Sequence, residues 1–285
     1  MAAISPTGEY LLVATSSQSK LFALTPDEST SKLSVDPLGV FPHGARLATF
    51  TAAGDTIILV TPDSEVQIHP FLDETAPTTR FPHSDKPSYI NKLAISPDGD
   101  TFLTSSSTSL IVIQSFNPDV PPEMLPQPDS PVTSLEFLTP DLISITLADR
   151  NRLLLFIRGE SEWVLHPWCQ SVDNMPIQIG VTVDKCRGTF ITNNDPSQIW
   201  LWGSNWLAWV KPEGQKARNA ITNGEAEETR EETPHWIVYR YREVLLVDCL
   251  SSLPDKTELV VVERPRDEIL EDITEPRFYR HEYGT

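Results

Sequence analysis

Apolar residues recur at every second position in short runs along this chain: Val66 and Ile68; Leu110 and Val112; Ile143, Ile145 and Leu147; Ile177, Ile179, Val181 and Val183. A period of two puts alternate side chains on one face of an extended strand, so these runs predict strands with one buried face. Turn clusters of one kind stand between them: Ile4 to Gly8 (ISPTG), Phe50 to Gly54 (FTAAG), Ala94 to Gly99 (AISPDG), Phe137 to Asp141 (FLTPD) and Val183 to Gly188 (VDKCRG). Each joins one apolar stretch to a second. Their last residues are 46, 45, 42 and 47 positions apart, and a nearly constant spacing of this size marks an internal repeat.

Each cluster is followed, after a similar interval, by a polar turn residue and another strand, as at Asp63 (DSEVQI), Ser107 (STSLIVI), Asn151 (NRLLLF) and Asp195 (DPSQIWLW). This grammar resembles the WD40 repeat, in which four strands form one propeller blade and the period is about 40 to 45 residues. The SPDG turn and the D-x-x-V-x-I pattern carry the likeness. No unit holds the full Gly-His or Trp-Asp dipeptide, although His43 and His83 lie near the place of the histidine. A sixth, more divergent unit spans His235 to Pro265, with strands HWIVYRY, EVLLVDCL and TELVVVERP. The expectation is an all-β, WD40-like β-propeller over residues 1–265, with seven blades of which six are legible. Residues 213–234 carry five glutamates between Glu225 and Glu232 and read as an acidic, disordered loop. Residues 266–285 read as a C-terminal tail with one short helix around Ile269, Leu270 and Ile273. The chain opens inside a repeat, so it is expected to be the later half of a longer protein.

Composition sharpens this picture. Twenty-five prolines against 12 glycines tell against long helices, whose interiors proline breaks. With 22 Lys plus Arg against 40 Asp plus Glu the net charge is −18. Such a chain repels phosphate backbones as a whole, and RNA contact would need a local basic patch. The three cysteines, Cys169, Cys186 and Cys249, are widely spaced and include no CxxC, so they read as reduced thiols of a cytosolic or nuclear protein.

Catalytic signatures are missing from the sequence: there is no GxxxxGK[ST], no GxGxxG after a strand, no GxSxG and no HExxH. The reading is of a non-enzyme with no cofactor and no metal. One alternative is a glycosidase-like propeller, since Ser96 to Phe102 (SPDGDTF) resembles an Asp box. It requires two positioned carboxylates, and the plainer role for Asp98 is to hydrogen-bond its own turn. Another alternative is a peptide-reading adaptor, for example of a ubiquitin ligase. Four of seven tryptophans, Trp200, Trp202, Trp206 and Trp209, fall in one short stretch. Trp200 and Trp202 share a strand face, which favours packing between blades. The remainder of the stretch, Trp206 and Trp209, joins Phe278, Tyr279 and Tyr283 of the tail as candidate protein-binding anchors. Lys211, Lys216, Arg218, Arg277 and Arg280 are the candidate RNA contacts, weighed against ordinary solvation.

The C-terminal residues point to a family. Tyr239 to Asp248 (YRYREVLLVD), Glu258 to Pro265 (ELVVVERP) and the ending Tyr283-Gly-Thr resemble the end of the cirhin family of tandem WD40 proteins and its fungal counterparts. The likeness is close over the last blade and covers the rest only as divergent blades. It implies a scaffold of the UtpA subcomplex of the small-subunit processome, in the nucleolus, bound to other UtpA subunits and to the 5′ external transcribed spacer of pre-rRNA. It also implies that this chain corresponds to the second propeller. Family tails are rich in lysine, whereas here the end reads Arg277-Phe-Tyr-Arg-His-Glu-Tyr.

Overall fold

A computed structural model describes residues 1–27, 32–73, 77–82, 88–149, 151–171, 184–192, 195–212, 238–241, 243–250 and 258–264. Among the described residues the chain is all-β apart from one short helix, α1 (Pro167–Ser171). It forms two compact units, Met1–Met175 and Pro176–Thr285.

The first unit holds four antiparallel meanders of four strands each. The first sheet is β1 (Ala2–Ile4), β2 (Tyr10–Ala14), β3 (Ser19–Asp27) and β4 (Lys32–Phe41). The second is β5 (Leu47–Phe50), β6 (Thr56–Val60), β7 (Val66–Pro70) and β8 (Thr79–Phe81). The third is β9 (Ile90–Ile95), β10 (Thr101–Ser106), β11 (Ile111–Ser115) and β12 (Glu123–Met124). The fourth is β13 (Val132–Thr139), β14 (Leu142–Leu147), β15 (Leu153–Arg158) and β16 (Trp163–Leu165). Each is the blade of a WD40-like propeller.

Consecutive sheets pack face to face, which explains why β6 is apolar without alternation. In β6, Ile57 and Leu59 enter the core shared with the first sheet. Ile58 and Val60, on the opposite face, enter the core shared with the third. A strand covered on both faces needs apolar residues at every position.

The repeated turns have a common physical basis. Gly8, Gly54 and Gly99 have φ of 75°, 75° and 79°. Each donates its N–H at 2.9 Å to the carbonyl three residues earlier, on Ser5, Thr51 and Ser96. Glycine adopts this left-handed geometry without the Cβ penalty. In the fourth sheet the corresponding loop is shorter, with Thr139 paired to Leu142, and Asp141 takes its N–H bond to Thr139 Oγ1 at 3.3 Å. The second family of turns places Ser64, Ser109 and Asn151 at φ of 65°, 64° and 51°. Ser64 Oγ also accepts the Ile90 N–H at 3.1 Å, tying the second sheet to the third.

The second unit holds β17 (Gly188–Thr192), β18 (Asp195–Trp202), β19 (Trp206–Val210) and β20 (Val238–Arg240) in one sheet. A separate pair comprises β21 (Val244–Leu250) and β22 (Glu258–Glu263). This divides the expected sixth unit. Its first strand, within HWIVYRY, is β20 and pairs with β19 through Trp206 to Arg240, Leu207 to Tyr239 and Ala208 to Val238. Only the two later strands pair with each other. The VDKCRG turn leads into β17, and the apolar stretch before it, 177–183, lies outside the described residues, as do residues 213–234 and the tail 266–285.

Candidate interaction site

Strand parity decides the tryptophan cluster. Trp200 lies opposite Trp209, and Trp202 opposite Leu207, so these four side chains share one face. They pack with Phe190, Tyr241, Val244, Val247, Leu259 and Val261 in the core between this sheet and the β21–β22 pair. The Phe190 and Trp200 rings stack at 6.2 Å with an 8° interplanar angle. The packing expected of Trp200 and Trp202 is thus present.

Trp206 is three residues from Trp209 and therefore points from the opposite face of β19. It is 1% exposed, and its indole N–H donates to the Asp184 carbonyl at 3.4 Å. Two glycines make the space: a Cβ on Gly203 would lie 2.2 Å from Trp206 Nε1, and one on Gly188 would lie 2.4 Å from Trp202 Nε1. The Asp184 carboxylate closes the β18–β19 turn by accepting the Ser204 N–H and, at 2.6 Å, its hydroxyl. Of the two tryptophans expected as partner anchors, only half-buried Trp209 retains a face toward solvent.

Lys211 stands 6.0 Å from the Trp209 ring centroid and pairs with Asp195 Oδ2 at 2.6 Å. The Lys211 bond, reinforced by the Ser197 hydroxyl at 2.5 Å, holds the Asp195 carboxyl below its usual range. A lysine neutralised in this way offers less to a phosphate. The remaining candidates, Phe278, Tyr279 and Tyr283 for protein and Lys216, Arg218, Arg277 and Arg280 for RNA, lie outside the described residues.

A second region escaped the sequence reading. Between the first and second sheets runs a groove of about 720 Å³, lined by Leu38, Val40 and Phe41 on one side and by His69, Phe71 and Arg80 on the other. His69, at the groove, ends a polar relay along one strand face. The Gln67 amide donates to Glu65 Oε1 at 2.7 Å, and His69 Nε2 lies 3.2 Å from Gln67 Oε1. Because that oxygen only accepts, Nε2 carries the proton, and Nδ1 is left to accept the Thr78 hydroxyl at 3.1 Å. Burial, then the nearby charges of His43 and Arg80, pull the His69 pKa down to about 4, which matches a neutral ring satisfied at both nitrogens. The signal was present as Glu65, Gln67 and His69 alternating with apolar Val66 and Ile68.

Asp98 accepts the Asp100 N–H at 3.1 Å, the turn role expected of it. Burial raises the half-buried Glu136 carboxyl to about 7 against the opposing charge of Lys92. Burial likewise raises the Cys169 thiol to about 11, the inert form of the side chain. Among the described residues no group of three or more His, Cys, Asp or Glu could hold a metal ion, and no helix is long and apolar enough to cross a membrane.

The chain is similar over its whole length to a Schizosaccharomyces pombe protein named U3 small nucleolar RNA-associated protein 4, with 27% identity over 337 aligned positions that cover 100% of this chain and 46% of that protein. A Saccharomyces cerevisiae protein of the same name is 22% identical over 226 positions, covering 73% of this chain and 29% of its own length. The chain therefore spans less than half the length of these curated relatives. No protein-family model matches it. The alignment with the Schizosaccharomyces pombe protein spans this whole chain, the tryptophan hairpin and the groove strands included.

Proposed function

We propose that this chain is a non-enzymatic scaffold domain of ribosome biogenesis that docks protein subunits of the UtpA subcomplex within the nucleolar small-subunit processome. There it supports pre-rRNA transcription and early maturation of the small-subunit (18S) rRNA. The observation that carries this reading is the whole-chain similarity to a protein named as U3 small nucleolar RNA-associated. The C-terminal YRYREVLLVD and ELVVVERP segments argue for the finer assignment to the UtpA group. Blades 1–265 form the platform, and the tail 266–285 reaches partners through Phe278, Tyr279 and Tyr283, with Trp209 as a further anchor.

Protein contacts dominate in this reading. A net charge of −18 opposes a phosphate backbone, and Lys211 is already paired. Contact with the 5′ external transcribed spacer then falls to Lys216, Arg218, Arg277 and Arg280, or to the other half of a longer protein. Affinity capture of the tagged chain from nucleolar extract, with and without nuclease, tests the proposal. UtpA subunits retained after nuclease treatment support direct protein docking. Loss of every partner together with the RNA overturns it.

A further inference from the structure

The outermost strands of the four-stranded sheets are short: β8, β16 and β20 have three residues each and β12 has two. Brief edges of this kind offer little for another chain to pair with. The first sheet is different. Its outer strand β4 has ten residues, and among the described residues β3 is the strand that pairs with it.

The hydrogen-bond parity of this edge follows from one contact. Leu24 gives its N–H to the Glu9 carbonyl at 2.7 Å, on the β2 side. Antiparallel bonding alternates, so Ala23 and Thr25 turn their backbone groups toward β4, where they face Asp36 and Ser34. Leu33 and Val35 therefore present their N–H and C=O groups outward. Pro37, opposite Phe22, also falls on the outward side, where its missing donor limits the available edge to a short stretch. The strand leaves Leu33 56%, Val35 48%, Leu38 54% and Val40 62% exposed, and Leu38 and Val40 continue into the groove beside Phe71. Leu33 and Val35, paired with Pro26 and Leu24, lie on the sheet face opposite Leu21 and Ala23, which line the groove. The open backbone edge thus carries an exposed aliphatic pair of its own, and edge and apolar side chains are the two requirements for strand addition.

We propose that β4 is a docking strand that pairs with a short extended segment of a partner protein, apolar at alternate positions and carrying lysine or arginine between them. The backbone donors set the extended form, the exposed aliphatic side chains set the alternation, and Asp36 with the net charge of −18 sets the sign. The proposal deepens the scaffold reading by naming a surface. Its test addresses the edge alone, so a failure here leaves the nuclease-resistant capture result standing.

The test uses the full chain with fluorescent octapeptides bearing valine at alternate positions. One has lysine between the valines, one has glutamate, and one has prolines in place of two valines. The lysine peptide is expected to bind saturably and about tenfold more tightly than the glutamate peptide, while the proline peptide does not bind. Amide hydrogen exchange should slow at Leu33 and Val35 and stay unchanged at Ser34. Val35→Pro removes an outward donor and spares the β3 ladder, so it should abolish binding. The double variant Leu33→Lys, Val35→Lys should do the same through charge and lost apolar contact, which covers the case in which proline unfolds the hairpin. Absence of binding by every peptide, or binding that survives both variants, overturns the proposal. Self-association of the full chain that disappears in both variants assigns the edge to a second copy and overturns it as well.

Discussion

Two hairpins of this chain, β3–β4 and β18–β19, handle their apolar residues in opposite ways. The second carries four tryptophans, the richest concentration of potential anchors in the sequence, and encloses most of that surface. Trp200, Trp202 and Trp209 lie against Val247, Leu259 and Val261, while Trp206 fills the opposite face. The first carries no tryptophan on its outer strand, yet its aliphatic Leu33, Val35, Leu38 and Val40 remain open. Residue type alone does not mark a docking surface. What separates the two hairpins is how far other segments cover the outer strand. β20 pairs with β19 and the β21–β22 pair packs on its face, whereas among the described residues no strand pairs with the outer edge of β4 and its end, at Phe41, is what packs on the second sheet.

The largest effect should come from emptying the enclosed hairpin. Trp206→Ala is expected to cost about 4 kcal/mol, because it leaves a large cavity in a fully buried site; chemical denaturation of the second unit measures it. A loss below about 1 kcal/mol would show that the indole packs far less tightly than its burial indicates. Next comes Gly203→Ala, where the new methyl meets the Trp206 ring edge and the aromatic packing must shift. Overpacking of this kind costs about 2 kcal/mol, and Trp206→Phe should relieve part of it in the double variant.

Acid should act on the other side of the comparison. His69 titrates near 4 when folded against its ordinary 6.5, so the unfolded chain binds more protons between these values and stability falls as pH drops through that window. The loss is on the order of 2 kcal/mol after allowance for solvent screening. It should vanish in His69→Gln, and thermal melts across the window read it directly. The smallest effect is expected at the open edge itself. Leu33→Ser combined with Val35→Ser should leave stability within about 0.5 kcal/mol of the parent, and a larger loss would mean that these side chains are covered after all.

Much of the fold was legible because its rules are local. Alternation at Ile143, Ile145 and Leu147 announces a strand whatever surrounds it, and the left-handed positions at Gly8, Gly54 and Gly99 recur because that turn favours glycine. Parity could also have separated Trp206 from Trp209, since an odd spacing on a strand means opposite faces. The His69 relay was visible as alternating polar residues but had no meaning until Arg80 of β8 and Thr78 just before it came alongside.

The sequence by itself determined the all-β class, the repeated meander and the turn positions, since each follows from the conformational preferences of a few neighbouring residues. Only the tertiary structure decided that the HWIVYRY strand pairs with β19, that the tryptophans are largely enclosed, and that the β4 edge is open among the described residues. Exposure depends on which distant segment lies against a face, and no period within that face encodes its neighbour.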